Sequence, residues 1–408
     1  MDIKIIAKKI FEAGGRLYLV GGAVRDIILG LTPKDYDYSV TGLSEEEFKV
    51  LFPEAFLRGK DFPVFDLDGI EFALARKERK IAPGHNGFSI ETSKDLTIED
   101  DLSRRDITIN SIAIDVLTDE IIDPFNGKED CNNKIIRATS NAFLEDPLRV
   151  YRVARFAAQY DFDIDDGTYE LMKSLKNELS TLSVERVFVE FRKALLSMNP
   201  EIFFLILRKA ECLDVHFSEI SKQIGIEQPL KYHPEGDVFN HTMEVLERAV
   251  KETSNELYRF AALVHDFGKI ATPKEILPHH YNHENNGDQL VRDFCNRLKM
   301  PTNYKKVGIT SCREHMKAGK FYDLKPATKV DFLSKNSKTI LGLKGLEIVA
   351  NCDKEREIRI EFAELGNRML SEVNGKTIHI DEDNYVKLNE KIRQKRIAWI
   401  KQHLNNFK

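Results

Sequence analysis

The sequence predicts a small α/β head, with a small mixed sheet and helices, followed by a long and mostly α-helical body. Between residues 17 and 137, short apolar stretches such as LYLV and ITINSIAIDV are separated by Gly, Pro and Asp turns, a pattern typical of strands. From residue 146 onward, apolar residues recur at spacings of three and four, the period of an amphipathic helix. The sequence has no internal repeat and no low-complexity tract, which argues against a solenoid.

The length of 408 residues exceeds what one ordinary core accommodates, so several domains are expected. We assign the head to residues 1–140 and a helical neck and body to residues 141–226. The stretch EQPLKYHPEGD indicates a joint, and a second helical domain extends over residues 227–355. A C-terminal helical tail covers residues 356–408.

The charge balance limits the kinds of partner. With 42% hydrophobic and 31% charged residues, the chain is expected to fold rather than to be disordered. The net charge of −5 is no global signature of nucleic-acid binding, so an RNA partner would have to contact local basic patches. Residues 391–408 carry six Lys and Arg and no acid, and form either such a patch or a solvated helix face.

Cysteine usage and the N-terminus indicate a cytoplasmic protein. The five cysteines are scattered and form no CxxC pair, which is typical of a reducing compartment. The first residues, MDIKIIAKKIFEAGG, have lysines within the apolar run and predict a helix rather than a signal peptide. No stretch of about 18 uncharged apolar residues is present, so no membrane partner is expected.

Asp35 and Asp37 stand one residue apart in what the pattern predicts to be a strand. Residues i and i+2 of a strand point to the same face, so the two carboxylates are expected side by side. They repel each other unless a cation lies between them, and hard oxygen ligands suit Mg²⁺. The alternative is that one aspartate caps the turn after Pro33 and the other is a solvated strand residue.

A double glycine precedes this pair, in the segment LYLVGGAVRDIILG of residues 17–30. Glycines leave backbone amides bare where a phosphate approaches, and they permit positive φ. Arg25 is expected near the same charge, and Gly30 is expected to end the helix that precedes the aspartates. A strand, a glycine turn, a short helix and an aspartate strand outline a site for a metal ion and a triphosphate.

Two later segments complete a pattern that resembles a known family. RRDITINSIAID spans residues 104–115, and EDPLRVYRVARFAAQYDF spans residues 145–162. Together with the glycine segment, in this order, they resemble the class II tRNA nucleotidyltransferase and poly(A) polymerase family over almost the whole chain. The likeness is greatest to the bacterial CCA-adding enzymes that carry a C-terminal HD phosphohydrolase domain.

The resemblance implies a nucleotide site built from these three segments. Asp35 and Asp37 are then the catalytic residues and the ligands of Mg²⁺. Arg105 and Asp106 match the positions that contact the ribose, with Asn110 as a further candidate. The complete set of implied nucleotide-binding residues is Gly22, Arg25, Arg105, Asp106, Asp146, Arg149, Arg152 and Arg155.

The residue types of the third segment agree with base selection. On a helix, Asp146, Arg149, Arg152 and Arg155 would form one stripe, because they follow each other at intervals of three. A carboxylate accepts from an exocyclic amine and a guanidinium donates to a ring acceptor, so side chains of these types can mimic a Watson–Crick edge. The resemblance implies that Asp146 and Arg149 are the base readers. Arg152 and Arg155 match the family's triphosphate and nucleotide contacts. A solvated basic helix is the alternative.

The resemblance also implies a reaction. The 3′-hydroxyl of an RNA attacks the α-phosphate of a nucleoside triphosphate and pyrophosphate leaves, with two Mg²⁺ ions at the attacking and leaving oxygens. Glu71 is a candidate third carboxylate, for which a salt bridge with Arg76 is an equal alternative. Arg104 ranks below Arg105, because the acidic run of residues 99–101 is its alternative partner.

Seven of the eleven histidines lie between residues 233 and 315. His265 and Asp266 are adjacent in VHDFGK, while His241 precedes them and Asp353 follows in ANCDKER. A His, a His-Asp pair and a distant Asp are the signature of HD-type phosphohydrolases, in which imidazole and carboxylate bind a divalent ion that activates water. Structural histidines are the alternative.

One departure from the family leaves hydrolase activity open. Where relatives have a second His-Asp pair, His315 is followed by Met316, and methionine is a poor ligand of a hard ion. The domain would then retain only part of its metal site.

The function predicted on these grounds is template-independent addition of CCA to the 3′ end of tRNA from CTP and ATP. The segment of residues 77–96, rich in Gly, Pro and Lys, is expected to form a mobile loop, which in the family accompanies addition of the terminal A. A poly(A) polymerase or an A-adding enzyme of the same family is the first alternative. A metal phosphohydrolase with an RNA-binding head is the second.

Overall fold

The computed structural model describes residues 2–58, 64–80, 88–231, 233–354, 358–375 and 385–404. They form two compact units. The N-terminal unit consists of residues 1–186 and 205–212, and the C-terminal unit of residues 187–204 and 213–408. The four-part division expected from the sequence is finer than this and stays a prediction. None of the helices in the described ranges has the length and apolar character needed to cross a membrane.

The N-terminal unit contains a seven-stranded mixed sheet in the order β3-β4-β5-β2-β1-β8-β9. Strands β2 and β5 are parallel and the other neighbours are antiparallel. Two short two-stranded sheets, β6-β7 and β10-β11, complete the β-structure of the described residues. The strands are β1 Arg16–Val20, β2 Asp37–Thr41, β3 Phe56–Arg58, β4 Val64–Leu67, β5 Ile70–Leu74, β6 Arg76–Lys80, β7 Phe88–Thr92, β8 Ala113–Asp115, β9 Ile121–Ile122, β10 Ile135–Ile136 and β11 Asp163–Ile164.

Helices follow and interrupt the strands. Those of the N-terminal unit are α1 Ile3–Glu12, α2 Gly22–Ile28, α3 Glu45–Leu51, α4 Ile98–Ser103, α5 Gly127–Asn133, α6 Leu148–Tyr160 and α7 Asp166–Ser174. The rest of the chain holds α8 Val184–Leu195, α9 Pro200–Lys209, α10 Leu213–His216, α11 Ser218–Ser221, α12 Val238–Glu252, α13 Glu256–Val264, α14 His283–Arg297, α15 Thr302–Gly319, α16 Pro326–Asn336, α17 Gly342–Asp353, α18 Ala363–Glu372 and α19 Tyr385–His403. The predicted α/β head and helical body are confirmed, including the N-terminal helix.

The two faces of the large sheet have different roles. Leu17, Val40 and Leu74 are paired across β1, β2 and β5, and they pack in one apolar cluster with Ile10 of α1 and Phe48 of α3. Phe48 is fully buried, and burial of such a side chain contributes about 1.5–3 kcal/mol to folding. Helices therefore cover this face.

The opposite face carries carboxylates. Val20, Asp37 and Glu71 are paired partners across β1, β2 and β5, and Asp66 of β4 continues the row. Paired residues of neighbouring strands project to the same side, so the three acidic residues share one face. The fold thus aligns a row of carboxylates beside the end of β1.

Two expectations about local structure are corrected. Strand β2 begins at Asp37, and Asp35 lies before it in the connection from α2. The Pro and Lys before Asp35 do not continue a strand, so only Asp37 is placed by the sheet. Part of the expected loop of residues 77–96 forms the antiparallel pair β6-β7. The expectation of mobility for residues 81–87 lies outside the described residues.

The C-terminal unit is built around aromatic side chains. Phe191, Phe217, Phe260 and Phe294 are fully buried, and their ring centroids lie 5.6 to 6.5 Å apart in the neighbouring pairs. Such packed rings contribute beyond their buried area. Helices α12 to α15 and α17 pack on one another, and their ends supply the histidines described below.

Substitution of Gly127 tests how tightly the first turn of α5 packs on the segment that carries Asn110. A Cβ atom at Gly127 would lie 2.2 Å from the backbone oxygen of Thr108, so Gly127→Ala forces a backbone shift. We expect the free energy of unfolding to fall by about 1–3 kcal/mol in urea denaturation, the usual cost of overpacking. Gly167→Ala, in α7, is the control, since its Cβ would meet only a carboxylate oxygen of Asp165 at 3.1 Å. Equal stability of the two variants would contradict the contact.

Candidate functional site

The turn after β1 brings the backbone against two charged groups. Gly21 has φ +70° and ψ −134°, a conformation that side chains disfavour. A Cβ atom there would lie 3.0 Å from Nη1 of Arg105 and 3.9 Å from Oδ2 of Asp37. The sequence analysis assigned nucleotide binding to Gly22, whereas Gly21 is the residue at which only a glycine allows this close approach. The double glycine indicated the turn, but the sequence did not show which of the two glycines has the positive φ.

Asp37 is exposed at the start of β2, but its surroundings disfavour the charged form of its carboxylate. Surrounding protein atoms displace water and raise its pKa, Asp35 raises it further, and Arg105 opposes both effects. A cation between the two aspartates would relieve this repulsion, so the residues fit a divalent metal. In the described part of the chain, Asp35 and Asp37 belong to no group of three His, Cys, Asp or Glu ligand atoms that all lie within 4.8 Å of one another.

Glu71 is the neighbour of Asp37 in the sheet. It is exposed and pairs with Asp37 between the parallel strands β5 and β2. The sequence left open whether Glu71 is a third carboxylate of the site. Its register position places it on the face of Asp37, beside the candidate metal ligands.

Arg25 lies within the protein rather than at an open surface. It is 6% exposed, and Nη1 donates to Oδ1 of Asn110 at 2.6 Å. Nε and Nη2 donate to Asp26, and the guanidinium lies over the rings of Phe156 and Tyr160. The structure therefore places Arg25 between α2, the segment of Asn110 and α6.

Asp106 is the centre of this network. Oδ1 accepts from the amide of Asn110 at 3.0 Å, and Oδ2 accepts from Nε of Arg152 at 2.8 Å. Burial raises the pKa of Asp106, but the Arg152 charge and the Asn110 hydrogen bond outweigh this and hold it well below its usual range. Asp106 is thus a buried anion that links the second and third sequence segments.

Arg104 and Arg105 share one partner, the buried Asp101 of α4. Arg104 donates to Oδ1 of Asp101 at 2.5 Å, and Arg105 to Oδ2 at 3.0 Å. The acidic run was expected to compete for Arg104 alone. The structure gives Asp101 both arginines, and this holds Arg105 beside Gly21.

Asp146 lies before the helix that was expected to carry it. Helix α6 begins at Leu148, and Oδ1 of Asp146 accepts from the amide of Leu148 at 3.0 Å. Oδ2 accepts from Nη2 of Arg186 at 2.7 Å. The expected helical stripe is therefore wrong at Asp146, because the helix begins only after Pro147. Arg186 follows 40 residues later, so no local pattern indicated the pair.

The three arginines of α6 have different surroundings. Arg149 is 9% exposed and donates to the backbone oxygens of Ala142 and Arg104. Arg152 and Arg155 both lie over the ring of Phe156, at 5.5 and 3.8 Å from its centroid. The structure thus joins Arg152 to Asp106 and Arg149 to the backbone, while Asp146 has its own partner.

The predicted HD residues converge in the C-terminal unit. His241, His265, Asp266 and Asp353 offer ligand atoms that all lie within 4.8 Å of one another. Nε2 of His241 is 3.2 Å from Oδ1 of Asp353, and Nε2 of His265 is 3.2 Å from Oδ2 of Asp266. Burial raises the pKa of Asp266 and Asp353, but the facing histidines hold both well below the usual range.

The other nitrogens of these two histidines show which atoms are available to a metal. Nδ1 of His241 lies 2.6 Å from Oε1 of Glu235, and Nδ1 of His265 lies 2.7 Å from the backbone oxygen of Ala262. Both partners are acceptors, so Nδ1 of each ring donates to them and Nε2 is the nitrogen that faces the carboxylates. An imidazole nitrogen and a carboxylate oxygen 3.2 Å apart fit either a shared proton or a metal ion between them.

Four more residues border this cluster. His283 and His315 approach Asp266, and Lys269 lies 2.6 Å from Oδ2 of Asp266. Burial raises the pKa of Glu235, but hydrogen bonds from His241 and the backbone lower it to about 2. The sequence reasoning counted these histidines without placing them, and the HPEGD stretch was the signal for Glu235. Nε2 of His315 lies 3.5 Å from Oδ1 of Asp266, so the structure brings His315 to this cluster. Hydrolase activity in the presence of Met316 stays a prediction.

The fold and these two sites define a protein with a nucleotidyltransferase-type head and an HD-type helical domain, and comparison with known proteins agrees. Residues 17–137 match the poly(A) polymerase head domain, residues 161–224 the probable RNA- and SrmB-binding site of polymerase A, and residues 238–403 the HD domain. Both the nucleotidyltransferase and HD families use divalent metals.

A multifunctional CCA protein of Mannheimia succiniciproducens is 46% identical over 330 residues, which is 78% of each chain. A CCA-adding enzyme solved with ATP has a TM-score of 0.65 at 19% identity, over 98% of this chain and 90% of that one. A tRNA nucleotidyltransferase solved with a primer tRNA and an incoming ATP analog has a TM-score of 0.60 at 22% identity, over 91% of this chain and 98% of that one. These two structures show the fold alone. The sequence identity shows that the chain belongs to the family of the multifunctional CCA proteins.

The Asp106–Arg152 pair predicts a pH-dependent stability. Asp106→Asn should lower the free energy of unfolding by about 1–3 kcal/mol at pH 7, less than for a fully buried pair because Arg152 is 34% exposed. The pKa of Asp106 is lowered in the folded state, so the contribution is complete above the ordinary pKa of about 3.9 and is lost as pH falls below it.

Urea denaturation between pH 7 and pH 3 checks this, with the exposed Asp163→Asn of the same unit as control. The difference between wild type and Asp106→Asn should stay constant down to about pH 5 and then shrink. A difference that grows at low pH would contradict the ion pair.

Proposed function

We propose that this protein adds CCA to the 3′ end of tRNA from CTP and ATP without a nucleic-acid template. The observation that carries the proposal is the carboxylate row of Asp37 and Glu71 beside Gly21 and Arg105. Relatives at 46% identity are named multifunctional CCA proteins, and this supports the same reaction here. We further propose that the protein acts in the cytoplasm, with which its five unpaired and buried cysteines agree.

Asp35 and Asp37 are proposed to hold Mg²⁺. Exposed carboxylates suit a hard cation that retains several water molecules. Loss of water around Asp37 and then the charge of Asp35 raise the pKa of Asp37, and such a cation would offset both effects. When bound, the metal would stabilise the negative charge that develops on the reacting phosphate. Glu71 extends the acidic face next to Asp37.

The chain's own groups position the nucleotide. The backbone at Gly21 leaves room for a triphosphate next to Arg105, whose charge favours the phosphate oxygens. Asp101 holds the Arg105 guanidinium by a bond to Nη2. Transfer joins the 3′ oxygen of the RNA to the α-phosphorus and breaks the bond to pyrophosphate. Arg105 would then stabilise the negative charge of the leaving pyrophosphate.

Arg25, Asn110 and Asp106 form a chain of hydrogen bonds that fixes this site relative to helix α6. Arg25 bonds to Asn110, which bonds to Asp106, and Asp106 bonds to Arg152. We propose that Asp106 and Asn110 face the ribose from this network and that Arg152 and Arg155 contact the nucleotide. Arg25 then acts by positioning, because its donors are engaged within the protein.

Asp146 and Arg149 are proposed to select the base. The ion pair with Arg186 fixes the Asp146 carboxylate, and two backbone oxygens fix the Arg149 guanidinium. A held carboxylate accepts from an exocyclic amine and a held guanidinium donates to a ring acceptor, a combination that C and A satisfy. The two side chains then present a fixed set of hydrogen-bonding groups to the base without having to move.

A second proposed activity is metal-dependent hydrolysis of a phosphate ester in the HD domain. His241, His265, Asp266 and Asp353 would hold a divalent ion, which supplies an activated water when bound. Nε2 of His265 is buried and makes no hydrogen bond of good geometry, as expected for a ligand atom. Lys269, within 2.6 Å of Asp266, places a positive charge where a phosphate would approach.

Extension of a tRNA that lacks CCA tests the first proposal. With Mg²⁺, CTP and ATP, we expect three added nucleotides and then a stop, and Asp37→Asn should lower the rate at least 100-fold with unchanged unfolding temperature. Product length on a sequencing gel is the measurement, and Asp68→Asn, an exposed turn aspartate of the same unit, is the control. A long A tract would favour a poly(A) polymerase, and A added only after CC would favour an A-adding enzyme.

Release of phosphate tests the second proposal independently. A nucleotide with a 2′-phosphate or a 2′,3′-cyclic phosphate should be hydrolysed by wild type and by Asp37→Asn, but not by Asp266→Asn, because loss of the carboxylate removes a ligand charge. Asp293→Asn, an exposed aspartate of α14, should behave as wild type. Hydrolysis by Asp266→Asn at the wild-type rate would refute the assignment.

A further inference from the structure

We infer that Gln228 binds a phosphate oxygen of the substrate in the C-terminal unit, with Nε2 of its carboxamide as the hydrogen-bond donor. The inference rests on the proposed hydrolysis of a phosphate ester and adds a substrate-binding residue to it. Gln228 is 3% exposed, and among the described residues its Nε2 has no hydrogen-bond partner. A buried donor without an acceptor is costly, so an unpaired Nε2 indicates a ligand that supplies the acceptor.

The orientation of the Gln228 carboxamide follows from its contact with Lys269. Nζ of Lys269 donates to Oε1 of Gln228 at 2.5 Å. An ammonium group has donors and no acceptor, so the oxygen of the carboxamide has to face it, and the nitrogen is the free end. Exchange of the two carboxamide atoms would bring two donors together. The unpaired atom is therefore an N–H group, which requires an acceptor.

Lys269 connects Gln228 to the cluster of histidines and aspartates. The same Nζ lies 2.6 Å from Oδ2 of Asp266, so one ammonium group contacts both side chains. Lys269 is 5% exposed and Asp266 is 1% exposed, so these contacts are made inside the protein. Nε2 of Gln228 thus lies at the border of the proposed hydrolase site, beside a positive charge.

The backbone around Gln228 is held from two sides. The amide of Gln228 donates to the carbonyl oxygen of Gly236 at 3.3 Å, and Glu227 forms a β-bridge with Asp237, the residue before α12. On the other side, Nε2 of His280 donates to the carbonyl oxygen of Glu227 at 3.0 Å. These contacts fix the position of the carboxamide without a ligand, so a phosphate would meet a preformed donor.

The surroundings of Nε2 favour an anionic oxygen as the missing acceptor. A bound water molecule and the substrate are the two sources of such an acceptor. The charge of Lys269 attracts an anion to this position, and a hydrogen bond to an ionised acceptor is stronger than one to a neutral acceptor. A phosphate ester supplies ionised oxygens, and the proposed reaction brings one to this cluster. Gln228 would therefore contact the phosphate rather than another part of the substrate.

Two substitutions at Gln228 separate a lost donor from a change in charge. Gln228→Glu keeps an oxygen for Lys269 but replaces the donor by an acceptor, whereas Gln228→Met removes both polar atoms and leaves the Lys269 charge free. With adenosine 2′-phosphate and Co²⁺, phosphate release should show a KM raised about tenfold or more in both variants and a kcat changed less than about threefold. Gln289→Glu, at an exposed position of α14, is the control and should keep the wild-type KM.

The Gln228→Met variant is the decisive one. If Gln228 only positioned Lys269 or balanced its charge, the freed ammonium group would leave KM unchanged or lower it. A KM that rises in Gln228→Glu alone therefore overturns the inference, because the added carboxylate would then act through its charge. An unchanged KM in both variants overturns it as well.

Phosphate binding without turnover keeps this test independent of the hydrolase proposal and of the folding of the variants. Crystals of the unsubstituted protein, soaked in inorganic phosphate and Co²⁺, should show a phosphate oxygen about 2.7–3.2 Å from Nε2 of Gln228. A water molecule at this position and no phosphate overturns the inference. Phosphate bound at Nε2, without phosphate release from any nucleotide, leaves the inference standing and refutes the hydrolase proposal instead.

Discussion

A buried carboxylate that must be neutralised by its neighbours organises the N-terminal unit. Asp106 is 7% exposed and receives hydrogen bonds from Asn110 and Arg152. Removing such a carboxylate from water is costly unless donors replace the water, so these side chains are tied to it. Asn110 also accepts a hydrogen bond from Arg25 of α2. These bonds join helix α2, the segment of residues 104–115 and helix α6 into one assembly. This constraint links the residues that we propose to contact the nucleotide.

The C-terminal unit uses a buried aspartate in the opposite way. The neighbours of Asp106 are donors, whereas Asp266 faces four imidazole nitrogens, and the second nitrogens of the four rings already donate elsewhere. Lys269 gives Asp266 a positive charge, and His265 adds to it, because Asp266 outweighs the effect of burial and raises the pKa of that ring to about 10. Both aspartates are therefore held as anions by their neighbours. Imidazole nitrogens also bind metal ions, whereas guanidinium and amide groups do not, so only the surroundings of Asp266 fit the proposed metal site.

The sequence predicted those features that depend on local period and spacing. The two-residue alternation indicated the sheet, and the change to a helical period indicated the body. Features that depend on distant partners were out of reach: Arg186 meets Asp146 across 40 residues, and His283 meets His315 across 32. Conformation at a single residue was also missed, since only the backbone shows that Gly21 has the positive φ and that Asp35 precedes the strand.

The two ligand sets imply that the two proposed reactions need different metals. Asp35 and Asp37 offer exposed oxygen atoms, which leave a small hard ion most of its water. The histidine cluster is buried and offers mostly imidazole nitrogen, which excludes that ion by ligand type rather than by size. Because transition metals bind nitrogen ligands more tightly than Mg²⁺ does, the proposed site in the histidine cluster would take up the transition metal when both are present. On the proposed ligand assignments, the metal of the HD domain would therefore not be drawn from the Mg²⁺ that nucleotide addition uses.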